Sequence, residues 1–222
     1  MPQSTDRFLV ISGDGHVGPP LPGFAAYFEP NEREAFDRYW RARPGAKLAE
    51  AASRGDRDAL AGFLNGFMQA TGGTPEQAAS FSERALEATV GLFDSKTRDR
   101  FLDKEGIAAE VLYGDGFVEN HPPYSDIMKS NGQIFGGKPW PFAMQLAGAR
   151  AYNRWLADFV SENPARRAGV ISLPAAHDMS SLLAETKRAS ESGLRGGVLV
   201  PQLEAGLPGY HAAYYDPLWA LA

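Results

Sequence analysis

The sequence contains no cysteine. That absence alone excludes disulfide frameworks, thiolate zinc sites and iron–sulfur clusters, and it fits a reducing compartment such as the cytoplasm. Long apolar runs are missing too. The apolar stretch near the start, residues 8–11, is four residues long, against ~7–15 for the core of a secretory signal and ~20 for a membrane helix. Positive charge is in short supply: 22 Lys and Arg stand against 27 Asp and Glu, a net charge of −5. No Lys/Arg run forms a local basic patch, so neither a nucleic acid nor an anionic membrane is an expected partner. Histidine is limited to four residues, which makes the position of each one informative. There is no internal repeat and no low-complexity tract. What is present is apolar side chain, 44% of 222 residues, enough for a sizeable core.

The apolar stretches fall in a regular order. Residues 8–13 read as a first strand, short, continuous and partly β-branched. Residues 18–30 carry four prolines and little periodicity, which reads as a loop. Asn31 with Glu34 suggests a capping box for a helix that Pro44-Gly45 ends. Thr74-Pro75-Glu76-Gln77 is a stronger helix start, with Ala78, Phe81, Ala85 and Val90 roughly along one face and Gly91 at the end. A short helix over 95–105 stops at Gly106, and "IAAEVLY", 107–113, is a second strand. After a Gly/Pro-rich loop comes a helix over 142–162, with Tyr152, Trp155, Leu156 and Phe159 in one apolar stripe. Strands follow at 168–174 and 196–201, separated by a helix capped by Asp178 and ended by Gly193. "YYDPLWALA" begins another helix. Strands that are apolar throughout, alternating with helices, imply a parallel sheet with crossover helices. An open doubly wound sheet and a (β/α)8 barrel both satisfy this order.

Both folds place their chemistry at the carboxyl ends of the strands. Asp14 and His16, in "VISGDGHVG", end the first strand. In extended backbone, residues two apart point to the same side, with Cα atoms roughly 6–7 Å apart at ~3.3 Å per residue. A carboxylate and an imidazole so placed can converge on one cation at ~2.0–2.2 Å from each donor. The competing reading is a plain turn, since Asp-Gly is a common turn dipeptide. His121 lies in the loop after the second strand with Asp115, Glu119 and Tyr124, either rimming the same face or solvated in a loop shaped by Pro122-Pro123. His177 follows the third strand, either as a substrate contact or as a helix-start residue beside Asp178. His211, after the fourth strand, is a weaker candidate for touching a ligand.

Several signatures fail. "GQIFGGKP", 132–139, has P-loop spacing up to Lys138, but Pro139 stands where a magnesium-binding Ser or Thr belongs. There is no Gly-x-Ser-x-Gly nucleophile elbow. The first strand is not followed by Gly-x-Gly-x-x-Gly.

The blocks "VISGDGHVGPP", "FDSKTRDRFLDKEGIAAEVLY", "ARAYNRWLADFVSENPARRAGVISLP", "AETKRASESGLRGGVLVP" and "YYDPLWALA" together resemble amidohydrolase-related proteins of the aminocarboxymuconate-semialdehyde decarboxylase type. The resemblance implies a TIM-type (β/α)8 barrel holding one divalent metal ion, zinc first and manganese second. It implies that residues 1–222 are the N-terminal part of one barrel domain, about its first four βα units, with a mainly helical insertion over 20–105 between strands one and two. In that family the first strand supplies an acid-x-His or His-x-His pair, and Asp14 and His16 take those positions. The family's other ligands, a His near strand five and an Asp from strand eight, are expected beyond Ala222. His177 and His121 stand as candidate substrate-binding residues. The implied activity is non-oxidative decarboxylation of a small carboxylic acid, with hydrolysis by a metal-bound water as runner-up. A half-barrel would expose a sheet edge, so a homo-oligomer, or a non-catalytic subunit that binds a partner chain, is also expected.

Overall fold

The computed structural model describes residues 8–114, 121–125, 140–201 and 203–222. The predicted strands pair in parallel in chain order, as a three-stranded sheet continued by a two-stranded one. β1 (Val10–His16) pairs with β2 (Ile107–Tyr113), and β2 pairs with β3 (Arg167–Gly169). β4 (Ile171–Ser172) pairs with β5 (Val198–Leu199). β3 and β4 are one extended run handed from one neighbour to the next. The Val170 N–H still donates to Leu112 O at 2.8 Å, on the β2 side, and the Ile171 N–H donates to Gly197 O at 2.9 Å, on the β5 side. Among the described residues β1 and β5 are the outer strands, and the sheet does not close into a barrel. No helix among those residues is long and apolar enough to cross a membrane.

The crossover helices occupy the ranges expected for them. α5 (Ser95–Glu105) starts on Asp94, whose carboxylate accepts the Thr97 N–H at 2.7 Å, and it ends on Gly106, which supplies the left-handed turn at φ 70°. α6 (Phe142–Ser161) lies between β2 and β3 and buries the expected stripe, with Tyr152 and Leu156 fully inaccessible. α7 (Met179–Glu191) starts on Asp178, as predicted.

Buried polar groups lock these layers together. Asn153 on α6 accepts the Ser172 N–H at 2.8 Å and donates to Ser172 O at 3.0 Å and to the buried Glu185 of α7 at 2.7 Å. It serves β4 as a substitute strand beyond the last hydrogen bond to β2. The Arg167 guanidinium donates to Ser95 O, Ser95 Oγ, Phe159 O and Asp99, and lies 4.4 Å from the Phe159 ring centre.

The segment between β1 and β2 is helical: α1 (Arg33–Arg41), α2 (Ala46–Ser53), α3 (Arg57–Ala70) and α4 (Pro75–Val90). The capping box at α4 is as expected, with Thr74 Oγ1 accepting the Gln77 N–H at 3.3 Å and Gln77 Oε1 accepting the Thr74 N–H at 2.9 Å. Three expectations are corrected. α1 starts at Arg33 on Glu32, not on Asn31, and the Glu32 carboxylate turns back to the Glu29 N–H. Within the predicted loop 18–30, Leu21–Tyr27 is a 3-10 helix that buries Leu21 and Phe24. α2 and α3 were not anticipated, although Leu60, Phe63, Leu64 and Phe67 recur along α3 at helical spacing. The P-loop-like segment 132–139, with Asp115 and Glu119, lies outside the described residues.

Candidate metal-binding site

β1 runs past residue 13 and ends in Asp14, Gly15 and His16 themselves. Its register against β2 shifts between Ser12 and Gly15: Ser12 faces Glu110 and Gly15 faces Leu112, three residues of β1 against two of β2. A bulge of this kind re-aims side chains at a strand end. The result is convergence. Asp14 Oδ1 and His16 Nε2 are 2.8 Å apart. Tyr113, the last residue of β2 and the partner of His16 in register, donates its hydroxyl to the same Asp14 oxygen. The Tyr113 and His16 rings lie 4.8 Å apart, tilted by 52°. The Tyr113 hydrogen bond, then that of His16 and its charge, hold the Asp14 carboxyl below the usual carboxylate range. The carboxylate is therefore ionised and open to solvent, with the Asp14 side chain 78% exposed and that of His16 34%.

This donor set fits a divalent cation. The two donor atoms are hydrogen-bonded to each other at 2.8 Å, and tetrahedral ligands at ~2.1 Å from one ion lie about 3.4 Å apart, so the pair would part slightly to admit an ion. One hard oxygen and one imidazole nitrogen suit zinc or manganese. Asp14 and His16 border an open cavity of about 490 Å³, whose walls include Ser12, Arg98, Phe101 and Glu110. Among the described residues no group of three His, Asp or Glu converges, so the pair would need ligands from elsewhere to complete a coordination shell.

The other histidines stand apart from this pair. His177 follows β4 and is held by Glu204, Nε2 to Oε2 at 2.7 Å, and Gln145 Nε2 approaches the second Glu204 oxygen at 3.4 Å. His121 is 1% exposed, which overturns the solvated-loop reading of that segment. Tyr124 beside it is buried in an aromatic cluster, 4.3 Å from Tyr39 and 5.4 Å from Trp140. Neither His121 nor His177 lines the cavity at Asp14 and His16. His211 is exposed, with its ring against Gly209.

Sequence reasoning missed three participants. Tyr113 was read only as the end of a strand, although a strand's carboxyl end is where polar groups act. Glu110 is a charge inside an apolar strand, which demands a buried partner, and Arg98 on the preceding helix is that partner.

Fold and site together define a parallel α/β chain with an acid–imidazole pair at the carboxyl end of an outer strand. No protein-family model matches the sequence, and no curated protein matches it.

Proposed function

We propose that the chain carries part of the metal centre of an amidohydrolase-type enzyme, and that its four strands are the first four of a (β/α)8 barrel. One observation carries this: Asp14 Oδ1 and His16 Nε2 converge to 2.8 Å at the carboxyl end of a parallel strand. The sequential strand order agrees with a barrel, whereas a doubly wound sheet reverses its order at a switch point.

Asp14 and His16 would hold the ion, and Tyr113 fixes the carboxylate by its hydrogen bond. The ion, when bound, supplies Lewis acidity toward substrate oxygens. The substrate class is a small carboxylic acid, and the reaction a non-oxidative decarboxylation. The same pair serves equally in a hydrolase. Metal content tests the reading. Zinc titration of the chain should reach a defined stoichiometry, which Asp14→Ala and His16→Ala should each abolish or weaken by at least tenfold. Unchanged stoichiometry and affinity in both variants would remove the assignment.

A second reading has its own observation. Phe8 and Leu9, just before β1, and Val10 and Ile11, at its start, are 94, 75, 47 and 58% exposed, and β1 pairs only with β2 among the described residues. An open, apolar outer strand invites a partner strand, so the chain would function as a subunit of a larger assembly. Sedimentation decides this: the chain should associate, and a monomer that melts cooperatively would count against it.

A further inference from the structure

We infer that Arg98 and Glu110 are positioning residues for the Asp14–His16 pair: a buried ion pair that clamps the end of β1 against β2 and thereby sets the separation of the two donor atoms. The inference rests on the metal reading above and deepens it. A carboxylate within a buried strand is costly unless it is paired and hydrogen-bonded. The Glu110 side chain is completely buried and that of Arg98 is 9% exposed. Arg98 engages Glu110 through two nitrogens, Nε at 3.1 and 3.0 Å from the two carboxylate oxygens and Nη2 at 2.6 Å from Oε2.

The third guanidinium nitrogen goes elsewhere. Nη1 donates to the backbone carbonyl of His16 at 3.4 Å. One side chain on α5 therefore grips β2 through Glu110 and β1 through His16. Gly15 shows how close the strands are drawn at that point. A Cβ there would lie 2.8 Å from Val111 O and 3.1 Å from Glu110 Oε2, so only glycine lets the bulged strand settle onto the pair.

Location separates positioning from simple cohesion. Buried ion pairs are weak contributors to stability, and apolar residues of similar size often replace them without loss. This pair lies under the one strand of the sheet that carries the candidate ligands and has a single described neighbour. With no second strand beside it among the described residues, the end of β1 takes its aim from β2, from Tyr113 and from Arg98, and just beyond it the Gly18 N–H donates to Leu92 O at 2.8 Å and Tyr152 donates to Val17 O at 3.0 Å.

The test measures metal affinity and folding separately on the full 222-residue chain. Zinc and manganese are titrated calorimetrically at a temperature where far-UV circular dichroism shows each variant folded. Arg98→Lys keeps the charge but loses the fork, and Glu110→Gln keeps the shape. Both should bind zinc roughly 10–100-fold more weakly, the usual effect of removing an outer-shell partner. Asn153→Ala is the control, a similarly buried lock that joins β4 to α6 and α7 and touches neither β1 nor β2. It should lower the melting temperature and leave zinc affinity at the parent value. The double variant Arg98→Met with Glu110→Leu restores apolar packing and decides the matter should either single variant unfold: weakened binding on an intact fold supports the positioning role. Parent-like affinity in Arg98→Lys and in the double variant would overturn it. If the parent chain binds neither metal, the pair does not hold an ion without the ligands expected elsewhere, and this inference falls for the 222-residue chain, a result distinct from parent-like variants.

Discussion

Two regions of one sheet are built on opposite terms. From β2 to β5, helices α6 and α7 cover the strands, and the polar groups drawn inside hold elements together. Asn153 completes β4, Glu185 holds Asn153, and Arg167 ties α5 to α6. At β1 the cover stops. Phe8, Leu9 and Ile11 face solvent, and Asp14 and His16 stand open beside them. The first region uses its polar chemistry for cohesion, while the second keeps a carboxylate and an imidazole available. Reactive groups therefore sit on an outer strand whose start is open to solvent, and the Arg98–Glu110 pair lies where the two regimes meet.

Mutations can break or sharpen this contrast. The largest effect belongs to the covered region. Trp155 is 7% exposed, stacks on Phe159 at 5.1 Å and meets Phe24 edge-on at 6.4 Å. Trp155→Ala should cost about 3–5 kcal/mol in urea unfolding. Thr74→Ala, which removes the capping box of α4, should cost about 1 kcal/mol by the same measurement. Ile11→Ala in the open margin should change stability by no more than about 0.5 kcal/mol. A loss there comparable to that of Trp155→Ala would mean that β1 is as well packed as its neighbours.

The smallest effect is confined to acid. Asp94 starts α5, the helix that carries Arg98 to the margin, and hydrogen bonds from Thr97, side chain first and then backbone, keep its carboxyl below the usual range. A lowered folded value means stability that is present above the unfolded value of about 3.9 and lost as pH falls through the folded one. Asp94→Asn retains a cap but not this dependence. Urea midpoints of parent and variant should run parallel from pH 7 to 5 and converge below pH 4. Parallel curves down to pH 3 would show that the carboxylate contributes nothing through ionisation.

The sequence was most legible where local chemistry decides the structure. β2 occupies the residues read from "IAAEVLY", α4 and α7 begin on the expected caps Thr74 and Asp178, and α5 ends at Gly106 as expected. Asp14 and His16 were legible as a pair because a two-residue spacing on extended backbone implies a shared side, and they do meet. The remainder depends on partners distant along the chain. Tyr113 reaches Asp14 across 99 residues, and His177 meets Glu204 across 27, pairings that no periodicity encodes. α2 and α3 escaped although Leu60, Phe63, Leu64 and Phe67 give α3 the i, i+3, i+4, i+7 apolar spacing of a helix. His121 looked solvated beside two prolines, yet those prolines turn the chain inward, and Pro122 and Pro123 are buried with it.

The placement of Tyr113 opposite His16 has a further consequence. Side chains alternate along a strand, so a slip of one residue between β1 and β2 would send Tyr113 to the far side of the sheet from Asp14. The constellation thus works as a gauge of alignment, existing only in molecules whose first two strands have docked in the native frame. A chain caught in a shifted frame would retain its helices and much of its core while lacking the acid–imidazole–phenol cluster altogether, so ion uptake would score correct assembly more sharply than helix content does.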